Sequence, residues 1–106
     1  MYMLVFYTPV DYTERVKEVV FAAGGGRIGN YDSCCWQTTG QGQFRPLEGG
    51  NPFIGETGSV EKVQETRIEM VCADTCLEPV LKALVASHPY ETPAYAYWPI
   101  NPQGGS

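Results

Sequence analysis

The chain has 106 residues and a single histidine, His88. It lies in the stretch Ser87-His88-Pro89-Tyr90-Glu91-Thr92-Pro93-Ala94-Tyr95, where two prolines bracket a Tyr-Glu pair. An imidazole near the Glu91 carboxylate, with the chain between them stiffened, suits proton transfer or metal coordination. A plainer role fits the same residues and is the one they favour. His88-Pro89 closes a helix, and a ring nitrogen bonds to a nearby carbonyl. On either reading Tyr90 and Tyr95 are packing or interface aromatics.

Four cysteines, Cys34, Cys35, Cys72 and Cys76, are the other reactive side chains. The N-terminus lacks a positive region and a small-residue cleavage site, so it reads as a strand and not as an export signal. Reduced thiols in the cytoplasm are then expected. No Cys-x-x-Cys occurs, and zinc with one histidine would need an unusual assembly. A cysteine on a buried strand is usually inert. Arg45, Glu48 and Glu56 lie in a long loop or at its root. They are either solvated and locally paired, or they engage a ligand or partner. Arg27, Asn30 and Tyr31 could meet the same cleft, although Asn30 reads first as a turn former and Tyr31 as a core or interface ring. Gly24-Gly25-Gly26 is compatible with an anion cradle. However, it follows a helix and lacks the lysine and hydroxyl of a phosphate loop, which favours a simple helix stop.

The elements that must position these residues are legible from pattern. Residues 2–8 form a strand with apolar residues on both faces, which implies burial on both sides. Asp11 with Glu14 resembles a capping box, opening a helix to about Ala23 whose stripe is Val16, Val19, Val20 and Ala23. A strand follows over 33–39, with a bulge expected at Gly40-Gln41-Gly42 and extended chain to Leu47. Residues 48–59 are a glycine-rich loop whose only large apolar residues are Phe53 and Ile54. Loops of this length are often functional. Val60 to Cys72 is a strand. Asp74 or Thr75 caps the next helix, Thr75 with Glu78 fitting a second capping box, and that helix carries Val80, Leu81, Leu84 and Val85. Ala94 to Ile100 is the last strand, and 101–106 reads as a flexible tail beyond a single domain over 1–100.

The order is βαββαβ, the ferredoxin-like α+β pattern: a four-stranded antiparallel sheet with two helices on one face. Its other face, with Tyr7 and Trp36, is too apolar to stay wet, so a dimer or trimer is expected. A net charge of −5 with no basic run excludes nucleic acid and anionic membrane as natural partners. No apolar run approaches the roughly 20 residues that cross a bilayer.

Four motifs carry a resemblance. They are Gly26-Arg27-Ile28-Gly29-Asn30-Tyr31, Gly42-Gln43-Phe44-Arg45-Pro46-Leu47-Glu48-Gly49, Asn51-Pro52-Phe53-Ile54-Gly55-Glu56 and His88-Pro89-Tyr90-Glu91-Thr92-Pro93-Ala94-Tyr95. In this order, over about residues 2–100, they resemble the inserted domain of the Nif-three-like (YqfO-type) proteins. That insert is itself similar to the trimeric PII signalling proteins and to the CutA proteins. The resemblance implies a free-standing accessory module that oligomerises and takes a small metabolite or a protein partner through loop 48–59. The candidate ligand-binding residues are His88, Glu91, Tyr90, Arg45, Glu48, Glu56, Arg27 and Asn30. The resemblance does not imply the hydrolase chemistry of the family's main domain, whose two-metal site needs histidines this chain lacks. The alternatives are a divalent-metal-binding protein of CutA type, with His88 as the only imidazole ligand, and an enzyme of unknown reaction using His88 and Glu91.

Overall fold

The computed structural model describes residues 1–101; the expected tail from Pro102 onward lies outside them. Strand β1 spans Tyr2–Pro9, helix α1 Thr13–Ala22, β2 Trp36–Phe44, β3 Glu61–Cys72, α2 Leu77–Ser87 and β4 Tyr95–Pro99. The sheet is antiparallel throughout, in the order β2-β3-β1-β4. This is the expected βαββαβ arrangement.

Alternation along β1 and β3 produces the core. Leu4 faces Met70 and Phe6 faces Ile68 across the ladder. These four, with Cys72, meet Val16 and Val20 of α1 and Val80 and Leu84 of α2. Burying an aliphatic or aromatic side chain of this kind contributes roughly 1.5–3 kcal/mol. Both helices therefore lie on one face of the sheet. Val19 and Val85 are exposed at the edges of their stripes instead of buried as expected. Each helix enters the core through the middle of its stripe, Val16 and Val20 in α1 and Val80 and Leu84 in α2.

Neither expected capping box forms. Single 3-10 turns, Val10–Tyr12 and Asp74–Cys76, precede the two helices, and neither helix has a side-chain cap. At α1 a buried hydroxyl chain ties down the helix start instead. Thr13 Oγ donates to Thr66 Oγ at 2.8 Å and lies 2.8 Å from Thr8 Oγ. At α2, Asp74 pairs with the Met1 amino group instead of capping the helix.

The glycine run does more than stop α1. Gly24 N–H donates to Phe21, Gly25 N–H to Val20 and Gly26 N–H to Val71 of β3. All three donors are consumed, so no anion cradle remains. Gly26 also accepts from Cys34 N–H, with φ at +72°. This holds the 27–35 connection against the sheet. Tyr31 is 75 % exposed and is no core ring in this protomer. Cys34 and Cys35 precede β2 instead of lying on it. β2 then pairs residue for residue with β3 from Trp36 to Phe44, so the bulge expected at 40–42 is absent.

Candidate functional site

At the end of α2 the chain must leave helical geometry, because Pro89 crowds the residue before it. His88 is accordingly extended, with φ −77° and ψ 138°, while its N–H still bonds to Leu84. This turns its ring under the sheet edge, where it is only 7 % exposed. Nε2 lies 2.6 Å from the Tyr7 carbonyl, and Nδ1 accepts the Tyr90 N–H at 3.1 Å. A nitrogen that accepts an amide proton carries none itself, so the proton sits on Nε2 and donates to Tyr7. Burial pushes the imidazole pKa below its ordinary value, against smaller opposing effects of the Tyr7 carbonyl and Glu65. The ring is neutral and both nitrogens are committed, which leaves no lone pair for a metal or for proton abstraction.

Tyr90 stands directly on this joint, its ring centroid 5.1 Å from that of His88. Its hydroxyl donates to Glu65 Oε2 at 3.0 Å. Burial, then Glu65, raises its pKa well above the ordinary phenol range, so it remains protonated. Glu65 is held from its other side by β2. A Cβ on Gly42 would overlap the Glu65 carboxylate, whereas one on Gly40 would meet nothing.

Residues 45–60 link β2 to β3 and fold back over this turn from the same chain. Gly49, Gly55 and Gly58 adopt φ values of +94°, +89° and +83°, which let the loop turn tightly. Asn51 N–H donates to Glu91 Oε1 at 3.0 Å. Phe53 packs edge-on against Tyr12 at 5.5 Å and lies 6.4 Å from Tyr90. Phe44 approaches Tyr90 at 6.0 Å. Between loop and turn lies a cleft of about 440 Å³, walled by Phe44, Pro46, Phe53 and Tyr90 and edged by Arg45 and Glu91.

Of the residues singled out from sequence, Arg45, Tyr90 and Glu91 line this cleft. His88 sits beneath Tyr90 and does not line it. Glu48 and Glu56 lie elsewhere in the loop, outside the lining. Arg27 lines a separate depression with Glu14, Lys17 and Asp32. Asn30 is exposed at the tip of the Ile28–Tyr31 turn. Sequence reading missed Glu65, Phe44 and Gly42. Gly42 and Phe44 stand in the second of the four motifs, and the local signal for Glu65 was the two-residue alternation that sets it beside Arg67 and Glu69. The donor set does not suit a divalent metal. Among the described residues no three His, Cys, Asp or Glu side chains gather as ligands. Cys72 is buried, and its thiol pKa is raised by that burial and by neighbouring Cys76.

No family model matches the chain. It is 42% identical over 104 residues to a GTP cyclohydrolase 1 type 2 homolog of Halalkalibacterium halodurans, covering 98% of this chain and 28% of that protein. The homolog of the same name from Bacillus subtilis is 42% identical over 97 residues, covering 92% of this chain and 26% of that one. Among solved structures, a Bacillus cereus protein related to NIF3 superposes with a TM-score of 0.81 at 37% identity, over 95% of this chain and 26% of that one. CutA from Archaeoglobus fulgidus superposes at 0.65 and 16% identity, over 96% of this chain and 86% of that one. The PII-like CutA from Nostoc gives 0.68 and 16%, over 95% and 82%. These last two share the fold alone. The chain is thus a homologue of one segment of the NIF3-related proteins, folded like CutA, and it spans about a quarter of the length of the relatives it matches.

Proposed function

We propose that this chain is a self-associating module that binds a small ligand in the cleft beneath the 45–60 loop. The observation that carries the reading is the cleft itself. Three aromatic rings converge there, held by a neutral His88 joint and a Tyr90–Glu65 hydrogen bond, with Arg45 and Glu91 at the rim. Pockets of this size, mostly apolar with a few placed polar groups, are the usual form of small-molecule sites. The loop is joined to the Tyr90–Glu91 turn by one hydrogen bond and one aromatic cluster. A loop tethered this lightly can adjust around a ligand.

Self-association is supported by the sheet face away from the helices. Cross-strand pairing puts Trp36 with Glu69 and Trp98 with Met3 on that face, and the two indoles are 61 % and 43 % exposed. Apolar surface of this kind is normally covered. A metabolite library screened by thermal shift tests the binding reading, since a ligand specific to the native state raises the melting temperature. The expected hits perturb Tyr90 and Phe53. A flat response across the library would remove the reading. Sedimentation tests self-association, and a monomer at micromolar concentration would refute it.

For a divalent-cation role of the kind named for the Archaeoglobus CutA, the described residues gather no group of three His, Cys, Asp or Glu side chains.

A further inference from the structure

The fold leaves two opposite charges facing one cleft without joining them. Among the described residues the ion pairs are Lys17–Glu14, Arg67–Glu69, Lys82–Glu78 and the Met1 amino group with Asp74. Arg45 and Glu91 belong to none of these, yet both line the cleft. Glu91 uses Oε1 to accept the Asn51 N–H, which leaves Oε2 open. Glu65, the other carboxylate of the lining, is committed to the Tyr90 hydroxyl. Between Arg45 and Glu91 the walls are aromatic and aliphatic.

Each feature selects a different part of a ligand. A guanidinium matches a carboxylate through paired N–H donors. A carboxylate beside aromatic faces favours an ammonium, which gains from both. Rings of Phe44, Phe53 and Tyr90 favour an apolar side chain. A phosphorylated ligand would set its charge against Glu91 and Glu65 with only Arg45 in compensation. A simple amine would leave Arg45 unmatched and a simple acid would leave Glu91 unmatched, each forgoing one of the two charge-assisted contacts.

We infer that the cleft takes a small zwitterion with an apolar side chain, of the free amino-acid class, its ammonium on Glu91 and its carboxylate on Arg45. This rests on the reading of the cleft as a ligand site and adds the class of ligand. The volume of about 440 Å³ holds such a molecule with room for water.

Amide NMR titrations of the full chain with L-phenylalanine and L-leucine test the inference, with 2-phenylethylamine and 3-phenylpropionate as half-molecules. Shifts are expected at Asn51, Phe53 and Tyr90, with either amino acid binding at least about tenfold more tightly than its half-molecules. Arg45→Met should reduce L-phenylalanine to the affinity of the amine. Glu91→Gln, which keeps an acceptor for Asn51, should reduce it to that of the acid. Both positions are exposed, so folding is not at stake. Half-molecules that bind as well as the amino acids would overturn the inference, as would either variant binding like wild type. If a compound of another class saturates the cleft and amino acids do not, the inference fails and the proposed function stands. If nothing in a broad library perturbs the cleft, both fail.

Discussion

The two faces of the sheet share the same backbone but not the same chemistry. Toward the helices, β1 and β3 present Leu4, Phe6, Ile68 and Met70, all sealed within one protomer. Toward the open side the same strands present Tyr7, Arg67 and Glu69, with Trp36 and Trp98 from the edge strands. There Arg67 donates to Tyr7 Oη at 2.8 Å and to Glu69 Oε2 at 3.1 Å. The covered face is closed by shape and water exclusion. The open face is organised by polar pairs that leave large rings half-exposed. Stability should therefore reside mainly on the covered face, and association on the open one. The cleft lies at the end of the open side, from which it takes Glu65. It forms where the β2–β3 loop reaches past the sheet end to the turn after α2.

Substitutions that strike each side separately can break this contrast. The largest loss of stability is expected from Phe6→Ala on the covered face, about 3–5 kcal/mol by urea unfolding, since a fully buried ring leaves a cavity. A loss below about 1 kcal/mol would mean the helices do not supply the main core.

His88→Ala comes next, because it leaves the Tyr7 carbonyl and the Tyr90 N–H without partners, at about 2 kcal/mol. The imidazole also links folding to pH. Its folded pKa lies below the ordinary value of about 6.5, so the unfolded chain binds the proton first as pH falls. Stability should thus decline as pH drops below the ordinary imidazole value, and His88→Gln should flatten that part of the curve. Equal slopes for variant and wild type, followed by melting temperature, would show that the ring is not held neutral.

A smaller effect separates two glycines on the open side of β2. Gly42→Ala displaces the Glu65 carboxylate and removes the acceptor of the Tyr90 hydroxyl, at about 1 kcal/mol, with weaker binding of any cleft ligand. Gly40→Ala, two residues away, meets no atoms and should leave stability unchanged or slightly raised. If the two variants behave alike, Glu65 does not position Tyr90.

The smallest change in protomer stability, within about 0.5 kcal/mol, is expected from Trp98→Lys and Trp36→Lys. These variants should nonetheless dissociate the assembly in sedimentation experiments. An assembly that survives both would move the interface off the open face.

Local pattern in the sequence was sufficient for the architecture. The apolar run of β1, alternation in β3, helical spacing in α1 and α2, and proline and glycine stops fix the order of elements, because each depends on residues a few positions apart. The motif at His88-Pro89-Tyr90-Glu91 was legible as a helix-to-strand joint for the same reason. The helix starts were not legible. Asp11 and Thr75 have capping chemistry, but 3-10 turns and, at α1, a three-threonine contact spanning β1, α1 and β3 take their place. Only tertiary structure could bring Tyr7 to His88 across 81 positions, Asn51 to Glu91 across 40 and Tyr90 to Glu65 across 25. Those contacts depend on ladder register and on where a sixteen-residue loop closes, quantities carried by no single stretch of chain. They turn the lone histidine from a candidate reactive group into a neutral support, and they place the cleft beside it.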